Sequence, residues 1–422
     1  MHDSSFPLNR IISLFFAIIC FLLPIFSLFG DAFIIISAIL LGGIFLWHHR
    51  ITFIQNIKAF PVKKNALFMA FSLFFTLCLL SLTWSENHSF GLYTLIKIVP
   101  FILMGIFFSV LKSPNNLYQS TFPTRLHLIG FSFGYVIGCV ILLFSPFLTE
   151  KGYIHLATKT TIHTGLFLSL SFWVVVQTAL SLDFLPHWRK ILLLLGLTAL
   201  SIFTLTKSQC DTALISLILG ALTSFLIFLK HTPIMMRTLQ TLIILSFVTT
   251  PLICFYGFSH TTIASFQTIL HDPSYLHRLF LWHKTAEKIK ESPLKGYGIG
   301  GSRSFSTTTT FDLHYTDSSG LEQNVQAEQM GVHPHNIALQ LWLELGVIGS
   351  LLGGWIVSLI FQKSIQSHSK RLLFSTFGCF VTAMITFWVN VDAFRTWWLS
   401  SIICVMTLFF SFNYPPSHSI KK

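Results

Sequence analysis

Apolar runs of roughly 18 or more residues alternate with short polar segments along most of the chain. An α-helix of that length crosses the hydrocarbon core of a bilayer. The pattern therefore predicts an all-α polytopic membrane protein with about twelve transmembrane helices. They are expected at about 11–29, 32–47, 66–83, 93–111, 126–147, 164–182, 191–206, 212–229, 238–257, 336–361, 372–390 and 396–413.

The charge distribution predicts how the chain crosses the membrane. Only 10% of the residues are charged, against about 25% in a soluble domain, and the net charge is +12. Sixteen basic residues fall in tails and loops of one predicted face, and the positive-inside rule makes that face, with both termini, cytoplasmic. They are Arg10, Arg50, Lys58, Lys63, Lys64, Lys112, Arg125, Arg189, Lys190, Lys230, Arg237, Lys363, Lys370, Arg371, Lys421 and Lys422. Membrane lipids are expected as partners of the transmembrane helices. Nucleic acid is not expected, because no basic stripe with interleaved aromatic residues is present.

One long polar segment, residues 258–335, divides the predicted helices into nine (1–257) and three (336–422). It begins with a helix signal, because Asp272 suits the N-cap and Pro273 the first helical position. Ser292-Pro293 ends that helix. Arg278 and Trp282 are four residues apart and share one side of it. A guanidinium there suits a phosphate, although an ordinary arginine on an interfacial helix is the alternative.

Glycines follow this helix, at residues 296–302. Gly298 and Gly300 let the backbone approach a ligand or another helix closely. Because no buried strand precedes them, a nucleotide-binding fingerprint is not favoured. Residues 304–328 are polar and rich in Ser and Thr, and we interpret them as a flexible flap or irregular cover.

The sequence His333-Pro334-His335-Asn336 opens the tenth predicted helix. At 100° per residue, three glycines (346, 349 and 353) return to within about 40° of His335, which predicts a tightly packed glycine stripe beneath it. Glu344 falls on the opposite side. The histidine pair suits a metal site, a general base or an interfacial anchor. With Glu328 it lacks a further ligand at a convincing spacing, so neither a metal nor a cofactor is expected.

Further ionisable residues are predicted on the outer face, where the positive-inside rule expects few cations. Lys97 lies inside the fourth helix, and Lys207 at the outer end of the seventh. Four others lie beside helices six, eleven and twelve: Lys159 and His163, expected just before helix six, and Asp392 and Arg395, expected between helices eleven and twelve. This excess of cations indicates an anionic ligand.

These motifs resemble those of the O-antigen ligase family. His335-Asn336 is separated by nine residues from Gly346-Val347-Ile348-Gly349. Upstream, residues 278–282 and 292–300 are similar to the loop signature of that family, and Trp84-Ser85 followed by Lys97 to its early segment. The motifs cover about 275–355, and elsewhere the likeness is topological. One position departs: where the family usually has an arginine after a serine, this chain has Gln209, two residues after Lys207.

The resemblance implies a glycosyltransferase of GT-C type in the bacterial inner membrane, with one large periplasmic loop between helices 9 and 10. Such an enzyme transfers a glycan from undecaprenyl diphosphate to an acceptor, commonly lipid A-core, with inversion and without a metal. Arg278, Lys97 and Lys207 would bind the donor diphosphate. His335 would take the hydroxyl proton or orient the acceptor. Residues implied to position the substrate are Asn336, Trp282, Gly298, Gly300 and His333.

Two other functions remain open at this stage. An O-antigen polymerase or a protein O-oligosaccharyltransferase shares the chemistry. A polymerase is expected to carry a second arginine-bearing outer loop, and residues 150–164 contain no arginine. A transporter of an anionic solute or lipid would need broken helices or charges near the midplane. Lys97, Pro24 and Pro100 are the main candidates for these.

Overall fold

A computed structural model describes residues 6–58, 65–110, 124–150, 158–229, 232–266, 273–305, 310–316, 321–328, 333–365 and 369–412. The predicted architecture is confirmed: within these residues, eleven helices are long and apolar enough to cross a membrane, and a shorter apolar helix follows them. The first nine are α1 (Phe6–Phe26), α2 (Asp31–Lys58), α3 (Ala66–Ser81), α4 (His88–Val110), α5 (Thr124–Glu150), α6 (Thr158–Leu180), α7 (His187–Lys207), α8 (Asp211–Leu229) and α9 (Pro233–Gly257). The last three are α12 (Ile337–Ile365), α13 (Lys370–Val389) and α14 (Thr396–Ser411).

Several helices extend beyond their apolar runs. Helix α4 begins five residues before the predicted start, so Lys97 lies deeper along it than expected. Helix α6 begins at Thr158, and this corrects the expected position of Lys159 and His163: both lie within the helix rather than before it. Polar residues at a helix end continue the backbone hydrogen bonds without contributing to the apolar run, which is why hydropathy places these starts too late.

Helix α6 lies at the centre of the bundle, with every residue from Thr164 to Ala179 buried. It packs against α5, α7, α8, α13 and α14. A Cβ on Gly378 of α13 would lie 2.3 Å from the Trp173 ring, so the glycine lets this indole pack directly on the α13 backbone. The Trp173 indole N–H donates to Thr382 Oγ1 at 2.9 Å. Close packing around α6 thus fixes the helices whose ends carry the site.

Between α9 and α12 the chain forms α10 (His260–Phe266), α11 (Pro273–Glu291), a short 3-10 helix (Gly301–Phe305) and two strands. Helix α11 packs against α9 and α12. Its buried face includes Leu276, Phe280, Ala286 and Ile289. Pro273 is its first residue and it ends before Ser292, as predicted, whereas the proposed cap Asp272 lies outside the described residues.

The interpretation of residues 304–328 as an irregular cover is wrong. Strands β1 (Thr310–Thr316) and β2 (Glu322–Glu328) form an antiparallel pair, with Thr310 opposite Glu328. The sequence alternates Phe311, Leu313 and Tyr315 with polar residues, which is the period of a strand. The many Ser and Thr residues around this alternation masked it.

The predicted glycine stripe beneath His335 is also wrong. Helix α12 is kinked at Gly346, whose backbone (φ 66°, ψ −164°) is not helical, and His335 precedes the helix with φ 53°. A projection at a constant 100° per residue cannot cross either position. The kink forms because another segment packs there: a Cβ on Gly346 would lie 2.2 Å from the Leu294 carbonyl oxygen, and the Val347 N–H donates to Pro293 O at 2.9 Å.

Candidate active site

The turn that carries the histidines is held from both sides. Asn336 caps α12, since its Oδ1 accepts the Leu339 N–H at 3.0 Å. From α11, the Trp282 indole N–H donates to the Pro334 carbonyl at 2.8 Å. The structure thus brings Trp282 and Asn336, both predicted to position substrate, next to His335, and their observed contacts hold the histidine turn.

His335 is a neutral ring with a fixed tautomer. Its Nδ1 lies 2.6 Å from the Asn390 carbonyl oxygen, and because a carbonyl only accepts, Nδ1 carries the proton and Nε2 presents a lone pair. The pKa of His335 is lowered to about 3, chiefly by burial and also by the neighbouring His333 and Arg278, while the Asn390 hydrogen bond acts in the opposite direction. At neutral pH, Nε2 is therefore a hydrogen-bond acceptor.

His333 lies beside it, with ring centroids 4.2 Å apart. Its Nδ1 is buried and has no hydrogen-bond partner among the residues that the structure describes. Burial lowers the pKa of His333, and Arg395 and Arg303 lower it further while Asp392 opposes them. Two neutral imidazoles are thus surrounded by permanent positive charges.

Three arginines supply those charges from three parts of the chain. Arg278 on α11 acts electrostatically on both His335 and Cys210. Arg303, in the 3-10 helix after the glycines, places its guanidinium carbon 3.8 Å from the centroid of the Phe90 ring of α4. Arg395 is the N-cap residue of α14. Arg303 was not among the residues predicted from the sequence. The only local signal was its position three residues after Gly300, since the segment around it has no periodic pattern.

Lys97 belongs to the same cluster. Its ammonium lies 4.4 Å from the Tyr93 ring centroid and 5.5 Å from that of Phe90, the ring that Arg303 also covers. The charges of four other residues act on this ammonium: Asp392, Arg303, Arg395 and Glu344. We call Lys97, Arg278, Arg303 and Arg395, with the two histidines, the cationic cluster.

Lys207 is less closely connected to the cationic cluster. It is exposed at the end of α7, followed by the buried Ser208 and by Gln209, whose φ is 55°. Within the described ranges its ammonium makes no ion pair and no hydrogen bond. The end of α7 is nevertheless near the cluster, because Tyr275 of α11 donates to Asp211 at 2.7 Å. The role of Lys207 stays a prediction.

A buried hydrogen-bond network holds the glycine segment against α12. Glu344, 1% exposed, accepts from the Gly300 N–H and the Ser302 hydroxyl, both at 2.7 Å. The Gln340 side-chain amide donates to Glu344 at 3.2 Å and to Asp392 at 2.9 Å. Glu344 thus bonds to the glycine segment and positions the part of it that carries Arg303.

The predicted glycines contact protein. Gly298 and Gly300 have φ of 79° and 76°, and a Cβ on Gly298 would lie 2.3 Å from Ser85 Cα. Between them, the Ile299 N–H donates to Ser81 Oγ at 3.1 Å and its carbonyl accepts from Ser85 Oγ at 2.9 Å. These glycines let the segment pack on the turn between α3 and α4. Any effect on substrate would be exerted through Arg303.

Two further features bear on the ligand. In the described part of the chain, no three His, Cys, Asp or Glu side chains are grouped as metal ligands. A largely apolar cavity of about 910 Å³ lies within the bundle. Its lining includes Ile337 and Leu341, which follow the histidine turn, Phe394, which precedes Arg395, and Lys363 and Ser364. The arrangement suits an anion attached to a long apolar chain.

Comparison with known sequences identifies part of this site. The sequence profile of the O-antigen ligase family matches residues 194–353, from α7 into α12. The match defines an O-antigen ligase domain at residues 194–353. This O-antigen ligase domain contains Arg278, Arg303, His335 and Glu344, whereas Lys97, Asp392 and Arg395 join the site from outside it.

Relatives in Rickettsia agree with this assignment, and each is provisionally named a polysaccharide ligase. The Rickettsia conorii protein is 33% identical over 138 residues, and the R. felis protein 31% over 137. The match spans 32% of this chain and 32% of the length of each of these two relatives. The R. bellii protein is 26% identical over 363 residues, covering 84% of this chain and 80% of the relative.

Proposed function

We propose that this protein is an O-antigen ligase-type glycosyltransferase. It would transfer a glycan from undecaprenyl diphosphate to lipid A-core, on the periplasmic side of the inner membrane with both termini cytoplasmic. The observation that carries the proposal is the cationic cluster beside an apolar cavity, within and next to the O-antigen ligase domain. Four permanent or near-permanent cations fit a diphosphate, and the cavity fits a polyprenyl chain.

In the proposed reaction, an acceptor hydroxyl attacks the anomeric carbon of the donor sugar and loses its proton. The bond from that carbon to the diphosphate oxygen breaks, and its electron pair leaves with the diphosphate, which inverts the configuration. Arg278, Arg303 and Lys97 stabilise the developing charge in a partly buried site, where electrostatic stabilisation is large. These cations take the place of a metal. Lys207 would approach the donor from the end of α7.

His335 would orient the acceptor rather than deprotonate it. With its pKa near 3, the ring accepts hydrogen bonds at neutral pH but is a weak proton acceptor. Its Nε2 would accept a hydrogen bond from a hydroxyl of the acceptor sugar. Trp282, Asn336 and His333 would keep that ring in place.

The test is a transfer assay in nanodiscs with chelator present. Undecaprenyl diphosphate-linked glycan is supplied with or without lipid A-core. We expect core-dependent transfer that falls at least about a hundredfold in Arg278→Ala and Arg303→Ala, the range seen when one electrostatic donor is removed from an active site. Arg189→Ala, at the far end of α7, is the matched control and should keep full activity.

Other products would contradict this function in distinct ways. Longer glycans on the lipid donor without any need for core would indicate a polymerase, and transfer to added protein an oligosaccharyltransferase. Loss of the donor across a sealed membrane without a covalent product would indicate transport. Transfer that Arg278→Ala and Arg303→Ala leave unchanged would remove the cationic cluster from the mechanism.

A further inference from the structure

A second histidine lies near this site and has a carboxylate partner. His163 of α6 places Nδ1 2.6 Å from Asp31 Oδ1, at the first residue of α2. The His163 ring stacks on Trp397 of α14, with centroids 4.1 Å apart and planes at 21°. Trp397 is only 3% exposed, so the stack fixes the plane of the imidazole. Three helices therefore set the orientation of this one ring.

The pair leaves one nitrogen of His163 available. A carboxylate next to Nδ1 favours the proton on that atom, so the lone pair is on Nε2. Throughout the described ranges, no residue forms a hydrogen bond to Nε2. The side chains of His163 and Asp31 are 13% and 33% exposed, so the pair is reached from outside the protein. The neighbouring Thr164 donates to the Ser27 carbonyl at 2.8 Å, which fixes this part of α6 to the segment before α2.

The pair is connected to the cationic cluster through the start of α14. Trp397 lies two residues after Arg395, whose charge acts on both His333 and Lys97. Helix α14 also packs against α2, α4 and α6, the helices that carry Asp31, Lys97 and His163. His163 and the two cluster histidines thus lie at the same end of the bundle, around the first turn of α14.

Resting on the proposed function, we propose that His163, oriented by Asp31, is the proton acceptor of the transfer reaction. The attacking hydroxyl loses its proton to His163 Nε2 as its oxygen bonds to the anomeric carbon. The bond between that carbon and the diphosphate oxygen breaks, and the diphosphate keeps the electron pair. Asp31 stabilises the imidazolium, which then releases the proton to water. His335 binds a different hydroxyl of the acceptor sugar, so the two histidines have separate tasks.

The experiment compares His163→Gln, His163→Ala, Asp31→Asn and Asp31→Glu with the wild-type protein in the transfer assay. We expect kcat to fall about 10²- to 10⁴-fold in His163→Gln, with the KM for donor within about threefold of wild type. The kcat of Asp31→Asn should also fall, and Asp31→Glu should retain more of the wild-type kcat than Asp31→Asn does. Added imidazole should restore activity to His163→Ala, because the removed ring leaves a partly exposed space on Trp397. The control is His88→Gln, an exposed histidine at the start of α4.

Each other outcome contradicts the proposal. Near wild-type kcat in His163→Gln and Asp31→Asn would exclude the proton-accepting role while leaving the proposed function intact. A loss of activity in His163→Ala that imidazole does not restore would identify a structural residue, and a lowered Tm would accompany it. Absence of transfer by the wild-type protein would contradict the proposed function itself and this inference with it.

Discussion

Replacement of Glu344 by alanine should release the segment that carries Arg303. Glu344 accepts three hydrogen bonds in a site that water does not reach. The Ser302 hydroxyl can rotate, and Gln340 keeps Asp392 as an acceptor, but the Gly300 N–H is fixed by the backbone. Leaving that one donor buried and unpaired costs about 1–3 kcal/mol, and up to about three times as much if none of the donors finds a new partner.

A cost of about 1–3 kcal/mol makes local opening of the segment about 5- to 150-fold more frequent. Amide hydrogen exchange on the peptide covering residues 294–305 measures that frequency directly. We expect faster exchange there in Glu344→Ala, a transfer rate reduced because Arg303 is displaced, and unchanged exchange in α6. Glu344→Gln keeps an oxygen for the Gly300 N–H, so its exchange rate should lie between those of the wild-type protein and Glu344→Ala. Wild-type exchange in Glu344→Ala would refute the argument that this carboxylate holds the segment.

Three other changes test the remaining contacts. Trp282→Phe keeps the packing but loses the hydrogen bond to Pro334, so we expect a loss of about 0.5–1.5 kcal/mol in unfolding free energy and reduced transfer, measured by thermal unfolding and the assay. Gly298→Ala places a methyl group against Ser85 at a positive φ, and it should lower Tm by several degrees or prevent folding; unchanged Tm would contradict the packing described. Because burial lowers the pKa of His335 below its ordinary value of about 6.5, the unfolded chain binds a proton there before the folded one does. Stability should therefore rise with pH between about 3 and 6.5, and His335→Gln should reduce that slope in pH-dependent unfolding; an unchanged slope would contradict the burial effect.

The transmembrane helices were predictable because each depends on its own composition. An apolar run of sufficient length forms a helix in a membrane whatever surrounds it, and the amphipathic α11 followed from its capping proline and spacing. His335, Arg278 and Lys97 were identified because ionisable residues are conspicuous in an apolar chain. These are properties of short segments.

What was missed depends on contacts between distant segments. The kink at Gly346 exists because residues 293–295 pack there, and nothing within α12 announces it. Arg303 joins the cluster only because the glycine segment packs on the α3–α4 turn. The contact between His163 and Trp397 joins residues 234 positions apart in the sequence, so no local pattern predicts it. Helical projection fails wherever the backbone leaves the helix, which happened here at the residue of greatest interest.

The packing of the glycine segment against the α3–α4 turn bears on how this protein can be recombined. Ser81 and Ser85 lie more than a hundred residues before the O-antigen ligase domain, yet they supply hydrogen bonds that the segment around Ile299 requires. A chimera that exchanges only residues 194–353 between two relatives would place a foreign segment on a native turn, and its arginine would be misplaced. Exchange of this domain between such proteins will require α3 and α4 to be transferred together with it.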